Sequence, residues 1–428
     1  MRRVPGSSPG PPIFGVPPHM NALDAAYAAL AVATWPAWGL KRRKGWGERL
    51  GKIEPLGSKS RPRILLHGVS VGEVNALRDL VPILAEHAHV IVSASTDTGI
   101  KRAADLFGPA HVRRYPLDFS RSVARFLDAV QPDAVALCEL ELWPNFMHAC
   151  QQRGIPVGVI NGRLSQRSFK GYCRATFLLR KTFARLTFAA VQDQAYADRF
   201  VHMGVPAAAV HITGTMKWDT AKLTDDVPES IPLAQALGID RTKPLIVAGS
   251  TGPGEEALLH EACPPGVQLL CAPRKPERFD EAAQALPGCS RRSRSTTPTT
   301  PGTPQHRFLL DTIGELRAAY ALADIAVVGR SFGNLHGSDP IEPVALGRPT
   351  IIGPRYGDFT AVVNALKDAG GLQVIDAANL RTTLGQLLDQ PDLRAQMAQR
   401  GRSCIRAHQG ATTKHAEMIL ATLRCRSQ

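Results

Sequence analysis

Short uninterrupted apolar runs recur along the chain at 63–67, 89–94, 111–115, 133–138, 155–160, 187–191 and 210–213. Between them, apolar residues return at three- and four-residue intervals, as at 73–86, 121–130 and 193–203. Runs without polar alternation predict strands buried on both faces, and the three-four spacing predicts the helices that cover them. The rhythm fails over 214–243, which carries Pro228 and Pro232. It restarts at Leu245-Ile246-Val247-Ala248-Gly249-Ser250 and continues near 267–272, 306–310, 324–328, 349–352 and 372–375. The pattern predicts two α/β domains of similar size, each a mainly parallel sheet between helices, with a ligand cleft between them.

The N-terminal part follows a different pattern. Residues 1–19 are rich in Pro, Gly and Ser and cannot build a core, so they are expected to be disordered or untranslated, with the start at either Met1 or Met20. Residues 22–40 are mostly apolar and as a helix would span roughly 28 Å. Trp35, Trp38 and Trp46 lie beside Lys41-Arg42-Arg43-Lys44, the arrangement favoured at a membrane boundary with its basic side cytoplasmic. The positive charge follows the apolar run, which argues against a signal peptide. The expected organisation is a membrane helix with a basic flank (20–46), spanning or monotopic, a first domain (47–220), a linker (221–243), a second domain (244–404) and a C-terminal helix (405–428). Within the second domain, 287–305 reads as a mobile Pro/Thr/Ser/Arg insert.

Charge adds a partner class. With 51 Lys+Arg against 37 Asp+Glu the formal net charge is +14, which calls for an anionic partner: a phosphorylated substrate, a membrane surface or nucleic acid. No zinc-finger spacing or basic heptad region supports nucleic acid. None of the eight cysteines forms a C-x-x-C pair, so they read as small buried hydrophobes and not as a metal site or disulfide frame.

Candidate chemistry gathers where strands end. After the first run, His67-Gly68-Val69-Ser70-Val71-Gly72-Glu73 forms a tight loop and helix start, placing Glu73 at the carboxyl end of a strand, either as a charge complementing the helix dipole or as a catalytic carboxylate. His67 reads as a core or hinge residue. Glu139 and Glu141 flank Leu140 before Trp143-Pro144; if extended, they share a face and suit acid/base work or an ion pair with a neighbouring Arg. In the second half, Gly249–Glu256 suits a phosphate or carboxylate without being a Walker loop. Pro273–Arg278 presents three cations outward, a phosphate grip or a solvated turn. Asp311–Leu316 has a capping pattern, and the glycine-framed loop 329–343 ends in a helix start carrying Glu342, a position suited to ribose hydroxyls.

The ordered motifs HGVSVGEV, STDTG, YPLDF, ELELWPN, INGRLS, TGTMKWD, APRKPERF, DTIGELR and DPIEPVALGRP resemble those of the lipid A Kdo (3-deoxy-D-manno-octulosonic acid) transferases, from about residue 20 to 424. The resemblance implies a GT-B glycosyltransferase of two Rossmann-like doubly wound domains facing a cleft. It would move Kdo from CMP-Kdo to a lipid A precursor, with inversion, at the cytoplasmic face of the inner membrane, and would need no metal or cofactor. It implies Glu73 as general base, Glu139 and Lys217 near the reacting centre, and Arg274, Gly314, Glu315, Asp339 and Glu342 at the CMP-sugar. The expected partners are the donor, the acceptor and an anionic membrane surface, with no nucleic acid; oligomeric state is left open. The chain departs from the family pattern at Arg330, Ser338 and Asp339 on the donor side, and at Thr215. The alternative is a GT-B enzyme using another nucleotide sugar, either a transferase or a sugar epimerase.

Overall fold

The computed structural model describes residues 21–38, 45–294 and 306–424. It divides into two compact units, Met1–Met216 with Gly410–Gln428, and Lys217–Gln409. The first unit is built on seven strands: β1 Arg63–His67, β2 His89–Ala94, β3 Val112–Arg114, β4 Ala134–Cys138, β5 Val157–Gly162, β6 Phe188–Val191 and β7 Val210–Ile212. They are parallel throughout, in the order β3-β2-β1-β4-β5-β6-β7. Every residue of β1 and β4 is buried, because helices cover both faces of the sheet. One face is packed by Leu65, Phe126, Phe146, Val159 and Phe200, and the other by Ile64, Leu66, Leu84, Val92 and Ile160.

The second unit repeats the plan with β8 Leu245–Thr251, β9 Gln268–Pro273, β10 Ser290–Arg291, β11 Arg307–Leu309, β12 Ile325–Val328, β13 Thr350–Ile352 and β14 Gln373–Val374, in the order β10-β11-β9-β8-β12-β13-β14. Both units are therefore Rossmann-like doubly wound sheets, as expected of a GT-B enzyme. Strand order reverses beside β1 in the first and beside β8 in the second. The crevices at the carboxyl ends of β1/β4 and β8/β12 are where such sheets bind ligands.

The structure revises several expectations. Residues 221–243, read as a linker, contribute Val227, Leu233, Leu237 and Ile239 to the core of the second unit. Pro228 and Pro232 break the apolar rhythm there, yet Ser230–Leu237 forms a short helix with Pro232 in its first turn. The described start of the expected insert is ordered: β10 pairs with β11, and Arg291 binds Asp311 at 2.7 Å and Asp280 at 2.6 Å. Residues 295–305 lie outside the described residues. The helical tail breaks at Gly410, where φ is +107°, and its last helix, Ala411–Arg424, packs Ala411, Ala416 and Ile419 into the first unit. The N-terminal apolar segment forms helix α1, Ala22–Trp38. No described helix is long and apolar enough to cross a membrane. The basic run Lys41–Lys44 and the first 20 residues are outside the described residues.

Candidate functional site

In the first unit, Glu73 stands in the first turn of the short helix Val71–Ala76 that follows β1. Its carboxylate is turned back on its own loop: Oε2 accepts from the Val69 N–H at 2.8 Å and Oε1 from the Ser70 hydroxyl at 3.0 Å. These bonds resemble half of a capping box shifted by one residue, and they fix the carboxylate at the helix mouth. Glu73 is half-buried. Burial raises its pKa above the usual carboxylate value, the charges of Glu139 and Glu141 raise it further, and the Val69 and Ser70 bonds hold it back. The charges of Glu139 and Glu141 thus act on the Glu73 carboxylate where β1 and β4 end.

Glu139 and Glu141 do not share an extended face. Glu139 has φ +61°, in the left-handed region, so the chain turns sharply as it leaves β4. Its N–H still donates to Ile160 O at 3.0 Å, and its carbonyl accepts from Arg163 N. Glu141 is bound by Trp143 Nε1 at 2.7 Å, so its partner is an indole and not an arginine; burial raises its pKa. The next strand end is also strained. Asn161 has φ +50°, and its N–H donates to His415 Nε2 at 2.9 Å. His415 is fully buried, and its Nδ1 donates to Ala411 O, which sets the tautomer. His67 is a core residue: it is fully buried, stacks on Tyr115 at 3.8 Å, and burial lowers its pKa to about 3. Thr96 caps the helix Asp97–Phe107 and donates to Val69 O at 3.0 Å, which ties the β2 loop to the Glu73 loop.

In the second unit the loop after β8 is already occupied by an anion, and the anion is the protein's own. Glu255, 3% exposed, accepts four backbone N–H bonds: Gly252 (2.8 Å) and Arg330 (2.6 Å) on Oε2, Ser331 (2.8 Å) and Phe332 (2.9 Å) on Oε1. The amides suited to a phosphate or carboxylate are there, but a buried side chain fills them and joins the loops after β8 and β12. Ser250 (φ +56°) and Arg330 (φ +59°) are both left-handed beside this nest. Sequence reading missed Glu255, because a glutamate in the first turn of a helix ordinarily faces solvent.

The three cations after β9 do not all face outward. Arg278 turns in and binds the buried Glu256 with both terminal nitrogens, at 2.8 and 3.1 Å. Arg274 is exposed, and its guanidinium has no hydrogen-bond or ion-pair partner among the described residues. Asp311 does not cap a helix: it accepts from Ser293 N, Ser293 Oγ and Arg291 Nε, and the helix begins at Leu316 with Glu315 at its N-cap. Gly314 has φ +97°, and Glu315 is held by Thr312 Oγ1 and by Arg292 Nε at 3.1 Å. Glu342 opens the helix Ile341–Ala345 and lies 3.8 Å from Arg317. Asp339 accepts from Ile341 N at 3.0 Å. Both carboxylates act on Tyr320, whose pKa is raised first by burial and then by their charges. The Ser338 hydroxyl is buried without a hydrogen-bond partner among the described residues. Lys217 belongs to this unit, with its ammonium 5.2 Å from the Phe359 ring centroid. Asp339, Glu342 and Tyr320 therefore cluster, while Glu73 and Glu139 form a separate cluster in the first unit. No group of three His, Cys, Asp or Glu side chains suited to a metal occurs among the described residues.

Comparison with known proteins adds a family. Residues 44–220 match the family model described as 3-deoxy-D-manno-octulosonic-acid transferase (kdotransferase). The chain is 33% identical over 376 residues to the 3-deoxy-D-manno-octulosonic acid transferase of Bordetella pertussis, covering 83% of this chain and 86% of that one. It is 31% identical over 369 residues to the corresponding transferase of Haemophilus influenzae, with the same coverage of 83% and 86%. Among solved structures, a glycosyltransferase from Rickettsia africae superposes with a TM-score of 0.56 at 13% identity, covering 85% of this chain and 99% of that one. The UDP-GlcNAc 2-epimerase of Neisseria meningitidis gives 0.53 at 13% identity, covering 84% and 99%. At that identity the two structures share the fold and no more.

Proposed function

The chain belongs to the 3-deoxy-D-manno-octulosonic acid transferase family, and from that premise we propose that Glu73 is the general base of an inverting Kdo transfer from CMP-Kdo to a lipid A precursor. The enzyme is a GT-B glycosyltransferase of lipopolysaccharide biosynthesis. An epimerase shares the fold, so the family and not the fold separates the two activities. The observation that carries the assignment is the Glu73 carboxylate itself. It sits where β1 ends, is oriented by Val69 and Ser70, and has a pKa raised toward the range in which a base works.

In this reading the acceptor hydroxyl gives its proton to Glu73 as its oxygen bonds to the Kdo anomeric carbon. The bond from that carbon to the CMP oxygen breaks, and CMP leaves with the electron pair. Phosphate is a good leaving group, so the donor side needs charge stabilisation more than acid catalysis. Arg274, exposed and with no partner among the described residues, suits that phosphate. The amide nest after β8 does not serve, because Glu255 fills it. Glu342 holds the ribose, Asp339, Gly314 and Glu315 line the donor, and Glu139 and Lys217 contact the reacting groups.

The enzyme works at the cytoplasmic face of the inner membrane, held by α1 lying on or inserting into the bilayer. Residues 142–192 support an anionic surface as partner: they hold eight Arg and Lys and no Asp or Glu. Arg167, Lys170, Arg174, Arg180 and Lys181 are exposed there beside Phe177, which is 77% exposed.

The test is to incubate the full chain with CMP-Kdo and a tetraacylated lipid A precursor, reading CMP release and product mass. Glu73→Gln should keep the fold, because the amide fills the place of the carboxylate, and lose transfer by roughly a thousandfold, within the usual contribution of a general base, because the amide cannot take the proton. Normal transfer by that variant removes the base assignment. Stabilisation by UDP in place of CMP would favour another nucleotide sugar.

A further inference from the structure

The first turn of α1 is a reciprocal cap. Asn21 Oδ1 accepts from Asp24 N at 2.9 Å, and Asp24 Oδ2 accepts from Asn21 N at 3.2 Å. The same two side chains also reach outward. Asp24 Oδ1 accepts from Ser120 N at 2.9 Å, the first residue of the helix Ser120–Val130, and from Asn145 Nδ2 at 3.1 Å. Asn21 Nδ2 donates to Asn145 Oδ1 at 2.8 Å and to Ser120 Oγ at 3.0 Å.

Asp118 completes the joint. It accepts from Asn145 N (3.0 Å) and Phe146 N (2.8 Å), the orphan amides of the helix Pro144–Gln152, and from the Tyr27 hydroxyl of α1 at 3.2 Å. Three helix N-termini therefore converge on two carboxylates, Asp24 and Asp118, which are 3% and 8% exposed. The positive ends of three helix dipoles repel one another where they converge, and the two buried carboxylates offset that repulsion. A tether needs no such construction. Burying Asp24, Asn145 and Asp118 carries a desolvation cost that only a fixed geometry recovers.

The joint also bounds the acidic loop. The helix Pro144–Gln152 starts directly after Trp143, so Glu139–Trp143 runs from the end of β4 to the joint. Glu139 is left-handed, and a strained loop keeps its shape only while both ends are held. We propose that Asn21 and Asp24 of α1, acting through Asn145, are positioning residues for the Glu139–Glu141 loop, so that α1 is a working part of the acceptor-side site as well as an anchor. The proposal rests on the reading of Glu73 and Glu139 given above.

The test uses the full chain in detergent micelles with dispersed acceptor, so that attachment to a bilayer does not limit turnover. Asn21→Ala and Asp24→Ala should lower kcat by roughly ten- to a hundredfold, the effect of an ångström-scale misplacement, while the KM for CMP-Kdo stays unchanged. The acid limb of the kcat profile should move to lower pH, because Glu139 and Glu141 are the charges that raise the pKa of Glu73 and a released loop withdraws them. A purely structural joint would leave that limb in place. Asn21 is exposed, so its variant keeps the fold even where Asp24→Ala does not. If both variants keep kcat within about twofold and the acid limb is unmoved while Glu73→Gln is inactive, the positioning role is wrong and the base assignment stands. If Glu73→Gln is fully active, both are wrong.

Discussion

Replacing Glu255 removes the anion that joins two loops of the second unit. Four backbone N–H groups meet its carboxylate at 2.6–2.9 Å, in a site 3% exposed. Hydrogen bonds to a charged group are each worth about 1.5–3 kcal/mol, so the gross interaction is on the order of 6–12 kcal/mol. Glu255→Ala loses less than that. Water enters the space of the lost carboxylate and meets some of the amides, and Arg330 relaxes from φ +59°, which recovers roughly 1–2 kcal/mol. The expected net loss is about 3–5 kcal/mol, as when one partner of a buried charge pair is removed.

Glu255→Gln separates charge from shape. Each oxygen accepts two of the four bonds, so whichever one becomes an amide nitrogen faces two N–H donors. It should lose nearly as much as alanine despite filling the same volume. The measurement is urea unfolding of the full chain, with each variant repeated in formate at about 0.1 M, where a small carboxylate that binds the folded nest raises stability by mass action. Formate should raise the midpoint of the alanine variant and leave the wild type and the glutamine variant unchanged. A glutamine variant within about 1 kcal/mol of wild type would refute the account, since an uncharged side chain would then hold the loops equally well.

Three further outcomes follow from named contacts. Glu139→Gln should shift the acid limb of kcat/KM to lower pH, because the Glu139 charge raises the pKa of Glu73; a limb that stays in place means that Glu73 is not the titrating base. Gly249→Ala should abolish CMP-induced stabilisation and lower the melting temperature, because the new Cβ would lie 2.0 Å from the Tyr320 hydroxyl and 2.4 Å from Cζ; a wild-type melting curve would show that Tyr320 moves freely. His67 is neutral in the fold, with a pKa lowered to about 3, so the unfolded chain binds the extra proton between about pH 6.5 and 3 and stability falls as pH falls through that window. His67→Phe should flatten urea-derived stability between pH 7 and pH 4 by roughly 3 kcal/mol, and an unchanged slope would mean that another group governs acid lability.

The sheets were legible because their strands are buried on both faces, which leaves uninterrupted apolar runs such as Ile64–Leu66 and Leu245–Ala248. β10 was not legible. Its two residues are Ser290 and Arg291, and it is held by the ion pairs of Arg291 with Asp311 and Asp280, partners distant or unremarkable in sequence. Asp311 was misread for the same reason, since its local pattern fits a cap and its bonds are tertiary. Glu73 could be located from the strand-loop-helix pattern, but not its choice between helix charge and base. In the structure it makes the local cap-like bonds and also lies beside two other carboxylates, so the two readings are not exclusive.

Backbone strain carries the remaining information, and no sequence pattern announces it. Among the described residues five non-glycines have positive φ: Gln131, Glu139, Asn161, Ser250 and Arg330. Gln131 is an ordinary left-handed C-cap of the helix Ser120–Val130. The other four stand at the carboxyl ends of β4, β5, β8 and β12, where a doubly wound sheet binds its ligand. Each costs of order 1–3 kcal/mol and persists only because its surroundings over-determine it. Those surroundings are visible for Asn161, whose N–H is held by His415, and for Arg330, whose N–H is held by Glu255. For Glu139 the N–H is held by Ile160, while the far end of its loop is held by Asp24 and Asp118. The strained positions and their supports come from widely separated parts of the chain. Relieving one support should therefore disturb the site before it unfolds the domain, so Asp24→Ala and Glu255→Gln should lose turnover at urea concentrations where far-UV circular dichroism is still native. If activity and ellipticity fall together in both variants, strain at these strand ends is only a by-product of the fold.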